Sequence, residues 1–290
     1  MLLFFGFLIV IVSSIGGFMY GGGNPLVLVQ VAEFIVIIGI SIGILVVASP
    51  PSTLRTLMHQ LKVAIKGSPG SKADFLDLLM LLYELFTKAR RGGLVAIEDD
   101  IMEPAASPIL SKYPSFLNDS GKVEALRNSL RPVIDGRVRP EQLSTLLITE
   151  LETMEEHENQ PVHILQLVGD SLPGVGIVAA VMGIINTMTA IAEGPEAVGE
   201  KVAAALTGTF LGVFLAYGFV NPLATRVKTN NSQHAAYFSM IMQACVSFVN
   251  GMAPIMAVEV ARRSIPPDMR PTADDVEAQT KALTKPEKSA

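Results

Sequence analysis

The chain has 290 residues, 50% of them hydrophobic, no Trp and a single cysteine, Cys245. One cysteine excludes an internal disulfide framework and suits the reducing side of a membrane. A formal net charge of −5 argues against a nucleic-acid partner, whose phosphates call for a clear basic excess.

Residues 2–20 are apolar and carry no charge. A signal peptide would open on a basic segment, so this run reads as a retained first transmembrane helix. Gly21-Gly22-Gly23-Asn24-Pro25 is a tight break. Residues 31–48 form a second span with Glu33 near its outer end, and Ser49-Pro50-Pro51 stops it. Residues 1–49 are therefore a first transmembrane hairpin.

Residues 50–167 have water-soluble character and predict a helical domain. Within 74–91, Phe75, Leu78, Leu79, Leu82, Leu85 and Phe86 share one helical face, and Glu84 and Lys88 stand four apart in the favourable order. Gly92-Gly93 ends that helix. The chain restarts with Leu94, Ile97 and Ile101 inward and Glu98, Asp99 and Asp100 outward. Residues 140–158 read as an acidic helix, with Pro140 suited to its first turn. No strand pattern appears.

Residues 168–224 make a second transmembrane hairpin, with spans at 172–191 and 202–223. Each is long enough, at about 1.5 Å of rise per residue, to cross a hydrocarbon core of about 30 Å. Small residues recur at close helical spacing: Gly176 and Ala180, Ala179 and Gly183, then Ala204, Gly208, Gly212 and Ala216. Such rows let helices approach closely where lipid offers no hydrophobic drive for association.

Residues 235–260 are apolar enough for a fifth span, yet Ser239, Gln243, Ser247 and Asn250 draw a polar line along one face, the mark of an amphipathic helix. Orientation decides between the two. Of the 22 Lys and Arg, 13 fall between 52 and 167 and eight after Ala224, leaving Lys201 in the second hairpin link. Four spans put both basic segments, and both termini, in the cytoplasm, as the positive-inside rule asks. Residues 225–265 then hold a cytoplasmic amphipathic helix, and 266–290 predict a mobile tail. The fold class is an all-α integral membrane protein with four transmembrane helices and a large helical cytoplasmic domain between spans 2 and 3.

The sequence has no phosphate-cradling glycine loop, no metal-ligand spacing among its four His and no nucleophile motif, so neither an enzyme nor a cofactor or metal site is expected. An ion-translocating protein needs a titratable group near the membrane centre, and these spans offer none there. Glu33 and Asp170 sit near span ends, where Asp170 can cap the third helix. The hairpin instead supplies hydroxyls, Thr187 and Thr189 in the third span and Thr209 in the fourth, and two prolines, Pro173 and Pro222. If ions pass, the carboxylate comes from a partner helix. A solute transporter would require an inverted repeat that the two hairpins lack; a passive scaffold is the plain alternative.

Several strings resemble the flagellar stator A subunit, the MotA/PomA family. They are Val168-Gly169-Asp170-Ser171-Leu172-Pro173, Gly176 through Gly183, Gly208-Thr209-Phe210-Leu211-Gly212 and Ala216-Tyr217-Gly218-Phe219. Asp77-Leu78-Leu79 through Arg90, Glu98-Asp99-Asp100-Ile101, Asn250-Gly251 and Ala257-Val258-Glu259 match as well. The resemblance covers nearly the whole chain, weakly beyond Arg270. It implies a bacterial inner-membrane protein, a pentamer of this chain around a dimer of a B subunit. That subunit has one aspartate-bearing span and a peptidoglycan-binding domain. Ion passage at that aspartate turns the ring, which pushes the rotor's switch ring through charges that fall here on Arg90 and Glu98. Asp170, Pro173, Ala180, Thr209 and Pro222 fall on the ion path and hinge. Sodium-driven members tend to carry threonine where this chain has Ala180, which implies proton drive. The related ExbB/TolQ energisers share the ring plan but resemble three-span proteins.

Overall fold

A computed structural model describes residues 2–66 and 71–284. Every regular element among the described residues is helical. Helix α1 (Leu2–Tyr20) is followed by a short 3-10 turn (Pro25–Leu28), α2 (Val31–Ala48) and α3 (Pro51–Lys66). Then come α4 (Lys72–Gly92), α5 (Glu98–Met102), α6 (Pro114–Leu117), α7 (Ser120–Ile134) and α8 (Pro140–Ala190). After α9 (Pro195–Leu215) a π-turn (Ala216–Val220) leads into α10 (Asn221–Val249), α11 (Pro254–Ser264) and α12 (Ala273–Thr284).

Four of these segments are long and apolar enough to cross a bilayer: Leu2–Tyr20, Pro25–Ala48, and stretches within Pro140–Met188 and Pro195–Val249. Residues 235–249 continue α10, the helix that leaves the fourth span, and do not start a separate helix.

Three expectations change. The acidic helix and the third span are one helix of 51 residues, α8, with Pro161 and Pro173 inside it. A proline removes one backbone bond and crowds the carbonyl four residues back, but neighbouring helices can hold the spiral through it. Helix α10 likewise runs through Pro222, and Gly251, at φ 95°, makes the break that separates it from α11. Finally, the tail read as mobile contains α12, where Val276 is buried; residues 285–290 lie outside the described chain.

The helices form two compact units: Met1–Gly67 with His157–Asn230, and Ser68–Glu156 with Asn231–Ala290. In the first, α1 buries none of its side chains, as suits a helix facing lipid or other chains. Helix α3 and residues 157–171 of α8 belong to this unit, and residues 140–156 of α8 to the other. The buried stripe of α3 accounts for this: Leu57 packs with Leu165 and Ala224, and Ala64 with Val162 and Val227. Gln60 adds a bond to the Glu158 carbonyl at 2.9 Å.

The second unit is built on α4. Its start is fixed by a capping box: the Ser71 hydroxyl accepts from the Asp74 amide while the Asp74 carboxylate accepts from the Ser71 amide, two otherwise orphaned donors satisfied together. It ends at Gly93, whose φ of 78° suits a residue without Cβ. The predicted apolar face is buried throughout, and so are Met80, Leu81 and Ala89. Helices α11 and α12 pack on α4 as well, with Val258, Ala261 and Val276 in the same buried cluster, so α4 is a central helix. Phe86 stacks on Phe248 of α10 at 4.4 Å between ring centroids.

Candidate functional site

In the membrane-spanning unit the small-residue rows do what their spacing predicts. A Cβ added at Gly212 would lie 2.5 Å from the Leu172 carbonyl and 2.8 Å from the Gly176 Cα. One at Gly176 would meet the Gly208 carbonyl at 2.8 Å. Helices α8 and α9 therefore touch backbone to backbone, as membrane helices do when small residues line the contact.

Further along this crossing, Gly183 and Gly208 leave a notch, and the Glu33 side chain of α2 fills it. A Cβ at Gly208 would fall 2.6 Å from Glu33 Oε2 and 3.2 Å from the Ala180 amide nitrogen; one at Gly183 would fall 3.2 Å from Glu33 Oε1. Glu33 is only 6% exposed, and its Oε2 has no hydrogen-bond partner among the described residues. The sequence placed this carboxyl near a span end. By length and composition the apolar segment runs 24 residues, from Pro25 to Ala48, and its first turn, Pro25–Leu28, packs on α9. Glu33 is thus about a third of the way along it. The expectation that the spans lack an internal carboxyl is corrected by this packing.

Ala180, expected on the ion path, adjoins that notch through its amide nitrogen; Thr209, also expected there, is the next residue after Gly208. Ala180 is buried and presents a methyl group; Thr209 is half-buried. Thr187 and Thr207 return their hydroxyls to their own helix, to the carbonyls of Gly183 and Ala203, each at 3.0 Å. No such bond ties Thr209 among the described residues.

Asp170 does not cap a helix, because α8 continues on both sides of it. It is exposed, and Asn221 Nδ2 donates to its Oδ1 at 3.2 Å. Gly169 fits against the same amide, so closely that a Cβ there would overlap the Asn221 side chain. This joins the approach to Pro173 to the approach to Pro222. Each proline stands four residues after a glycine, Gly169 and Gly218, at the carbonyl that the ring displaces. Before Pro222 the chain forms the π-turn Ala216–Val220, with the Asn221 amide bonded to the Ala216 carbonyl five residues back. The wider turn leaves room for the ring.

In the second unit, Arg90 and Glu98 are exposed on either side of Gly92-Gly93, with Arg91 and Asp99 beside them. Asp100, predicted outward, is instead 2% exposed. Lys88 Nζ lies 2.7 Å from its Oδ2 and Ser107 Oγ donates to its Oδ1 at 2.6 Å. Lys88 is thereby drawn from the expected pairing with Glu84, which takes Lys112 and, at 2.8 Å, the Tyr113 hydroxyl. Lys88, Asp100, Glu84 and Lys112 are thus paired, while Arg90 and Glu98 are exposed and have no ion pair among the described residues. No cluster of three His, Cys, Asp or Glu able to hold a metal occurs among the described residues.

Residues 4–93 match the family model for the motility protein A N-terminal region, and residues 118–240 match that of the MotA/TolQ/ExbB proton channel family. The chain is 35% identical over 287 residues to motility protein A of Escherichia coli, covering 99% of this chain and 97% of that one. It is 33% identical to chemotaxis protein LafT of Vibrio parahaemolyticus, over 94% and 96% of the two chains. The fold matches the structure of C. jejuni MotAB with a TM-score of 0.78 at 22% identity, covering 93% of this chain and 98% of that one. The flagellar MotAB stator complex from Bacillus subtilis gives 0.73 at the same identity and coverage. With identity of this extent along almost its whole length, the chain belongs to the motility protein A family.

Proposed function

We propose that this chain is the A subunit of a bacterial flagellar stator, residing in the inner membrane with both termini in the cytoplasm. Five copies surround a dimer of a B subunit, whose single span brings an aspartate and whose outer domain binds peptidoglycan. Ion flow past that aspartate alters the packing of the α8–α9 pair and turns the ring. Arg90 and Glu98 transmit the motion to the rotor's switch ring. One charge crossing 100 mV releases about 2.3 kcal/mol, enough to favour one packed arrangement of helices over another. The observation that carries the reading is the near full-length likeness to motility protein A. The likeness to TolQ and ExbB is at family level only.

The coupling ion is the proton. A sodium ion must exchange its water for several oxygen ligands, and the buried methyl of Ala180 removes one from the path. A proton needs a carboxylate and a hydrogen-bonded route, and Thr209 offers a hydroxyl not already tied to its own helix. Deleting the gene should abolish spreading in soft agar and complementation should restore it. Swimming speed should fall with a protonophore and ignore external sodium; sodium-dependent swimming would overturn the choice of ion.

A further inference from the structure

Glu33 is the sole acidic or basic side chain in residues 2–20, 31–48, 172–190 and 202–220. It is held by three helices at once: α2 carries it, and α8 and α9 give up Cβ atoms at Gly183 and Gly208 to admit it. Gly183 lies seven residues, about 10 Å of rise, before the end of α8 at Ala190, so the carboxyl is well inside the apolar layer. An ionised carboxylate sealed there without a partner costs several kcal/mol, and such groups mark ion pathways.

The bland role for an acid at this position is to complement the positive end of the α2 dipole from its first turn, a stabilisation of about 0.3–1 kcal/mol. A group with that role faces the helix end and water. Glu33 instead faces the glycines of two other helices and bonds to none of the α2 amides among the described residues. Beside it are the Ala180 backbone and the residue before Thr209.

We propose that Glu33 is a proton-carrying carboxyl of the A subunit itself, a second station on the route that also uses the partner's aspartate. The inference rests on the stator reading above. Between transfers the carboxyl is neutral, which its burial tolerates. In transfer its O–H bond breaks as the proton passes to a water or carboxylate on one side. The carboxylate left behind takes the next proton from the other side, so the group is unchanged over a cycle.

The test uses the complete A–B complex in liposomes, with an imposed proton gradient read by a trapped pH dye. Glu33→Gln keeps shape and polarity but cannot release a proton; Glu33→Asp can. We expect flux to fall by about tenfold or more in Glu33→Gln, with the B subunit still co-purifying, and to be substantially kept in Glu33→Asp. A carbonyl stretch of a protonated carboxyl, in infrared spectra of the parent complex, should be missing from Glu33→Gln. Parent-like flux in Glu33→Gln, or an unchanged carbonyl band, overturns the assignment. A parent complex that passes neither protons nor sodium overturns the stator reading instead, and one that passes sodium alone overturns the proton choice and this assignment with it, so the failures are distinct.

Discussion

Lys88 and Asp100 form an ion pair of 2.7 Å across the Gly92-Gly93 break, and the two ends are unequally sheltered: the Lys88 side chain is 42% exposed and that of Asp100 2%. The Asp100 carboxylate also takes the Ser107 hydroxyl, whose oxygen accepts from the Ile109 and Leu110 amides. The pair therefore fastens the segment that carries Glu98 to the helix that carries Arg90. Lys88→Met leaves a buried charge half-served and should cost about 1–3 kcal/mol. We expect faster proteolysis near Gly92-Gly93 and weaker swimming with Arg90 and Glu98 intact. An unchanged cleavage pattern in Lys88→Met would count against this fastening role.

The outer charges act differently. Arg90 and Glu98 are exposed and held by no partner among the described residues, so reversing them should leave insertion and assembly untouched. An electrostatic contact is steered by charge and weakened by salt. Arg90→Glu or Glu98→Lys should impair motility at parental membrane levels, and a compensating reversal on the rotor should partly restore it. Normal swimming in the double reversal would end the idea.

Glycine substitutions separate contact from open space. At Gly212 a new Cβ meets backbone, the Leu172 carbonyl at 2.5 Å, which cannot swing aside, and overpacking of this kind costs about 1–3 kcal/mol. At Gly6 nothing lies within 4 Å. We expect Gly212→Ala to lower the amount of complex in the membrane and Gly6→Ala to leave it unchanged. Equal levels for both would mean that the α8–α9 contact has more give than its distances imply.

Removing the prolines restores a donor to a helix that is already continuous. Pro173→Ala and Pro222→Ala should therefore insert normally, and both should reduce torque if these turns flex during the cycle. Torque on a tethered cell, set against membrane level, separates the two roles. Degradation of either variant would make that proline structural.

Acid should loosen the end of α11. Hydrogen bonds from Arg262 and, next, Arg263 hold the Glu259 carboxyl at about 2, against an ordinary 4.5, and Arg262 also reaches the Pro271 carbonyl at 3.1 Å. Because the folded value is depressed, this stabilisation is complete above about pH 4.5 and drains away as the pH falls towards 2. Water screens this partly exposed cluster, so Glu259→Gln should cost only about 1 kcal/mol at neutral pH, and much less near pH 2. Melting curves at the two pH values give the comparison; equal differences at both would refute the linkage.

The four spans were legible because an uninterrupted apolar run of membrane length can scarcely be sheltered from water in any other way, and the α4 face because its period was clean. The depth of Glu33 was not. An acid three residues into a helix resembles an ordinary first-turn acid until the turn before it is known to pack on α9. Asp100 was misjudged for a related reason, since three acids in a row look alike and only the fold reveals which has Lys88 above it. Prolines misled in the opposite sense. Pro173 and Pro222 lie at the borders of the predicted spans, 172–191 and 202–223, yet each here sits within helical structure.

The π-turn before Pro222 is in effect one surplus residue in the spiral. Shortening the chain by one anywhere in Ala216–Val220 would restore a regular α-helix, and because the wide turn absorbs its surplus residue, Pro222 and the residues after it would keep nearly the same facing. Asn221 would still face Asp170, though the room for the Pro222 ring would be lost. A single-residue deletion should therefore do less harm inside this turn than in the regular part of α9, where it turns everything after it by about 100° around the axis, and a deletion scan would mark the borders of the turn.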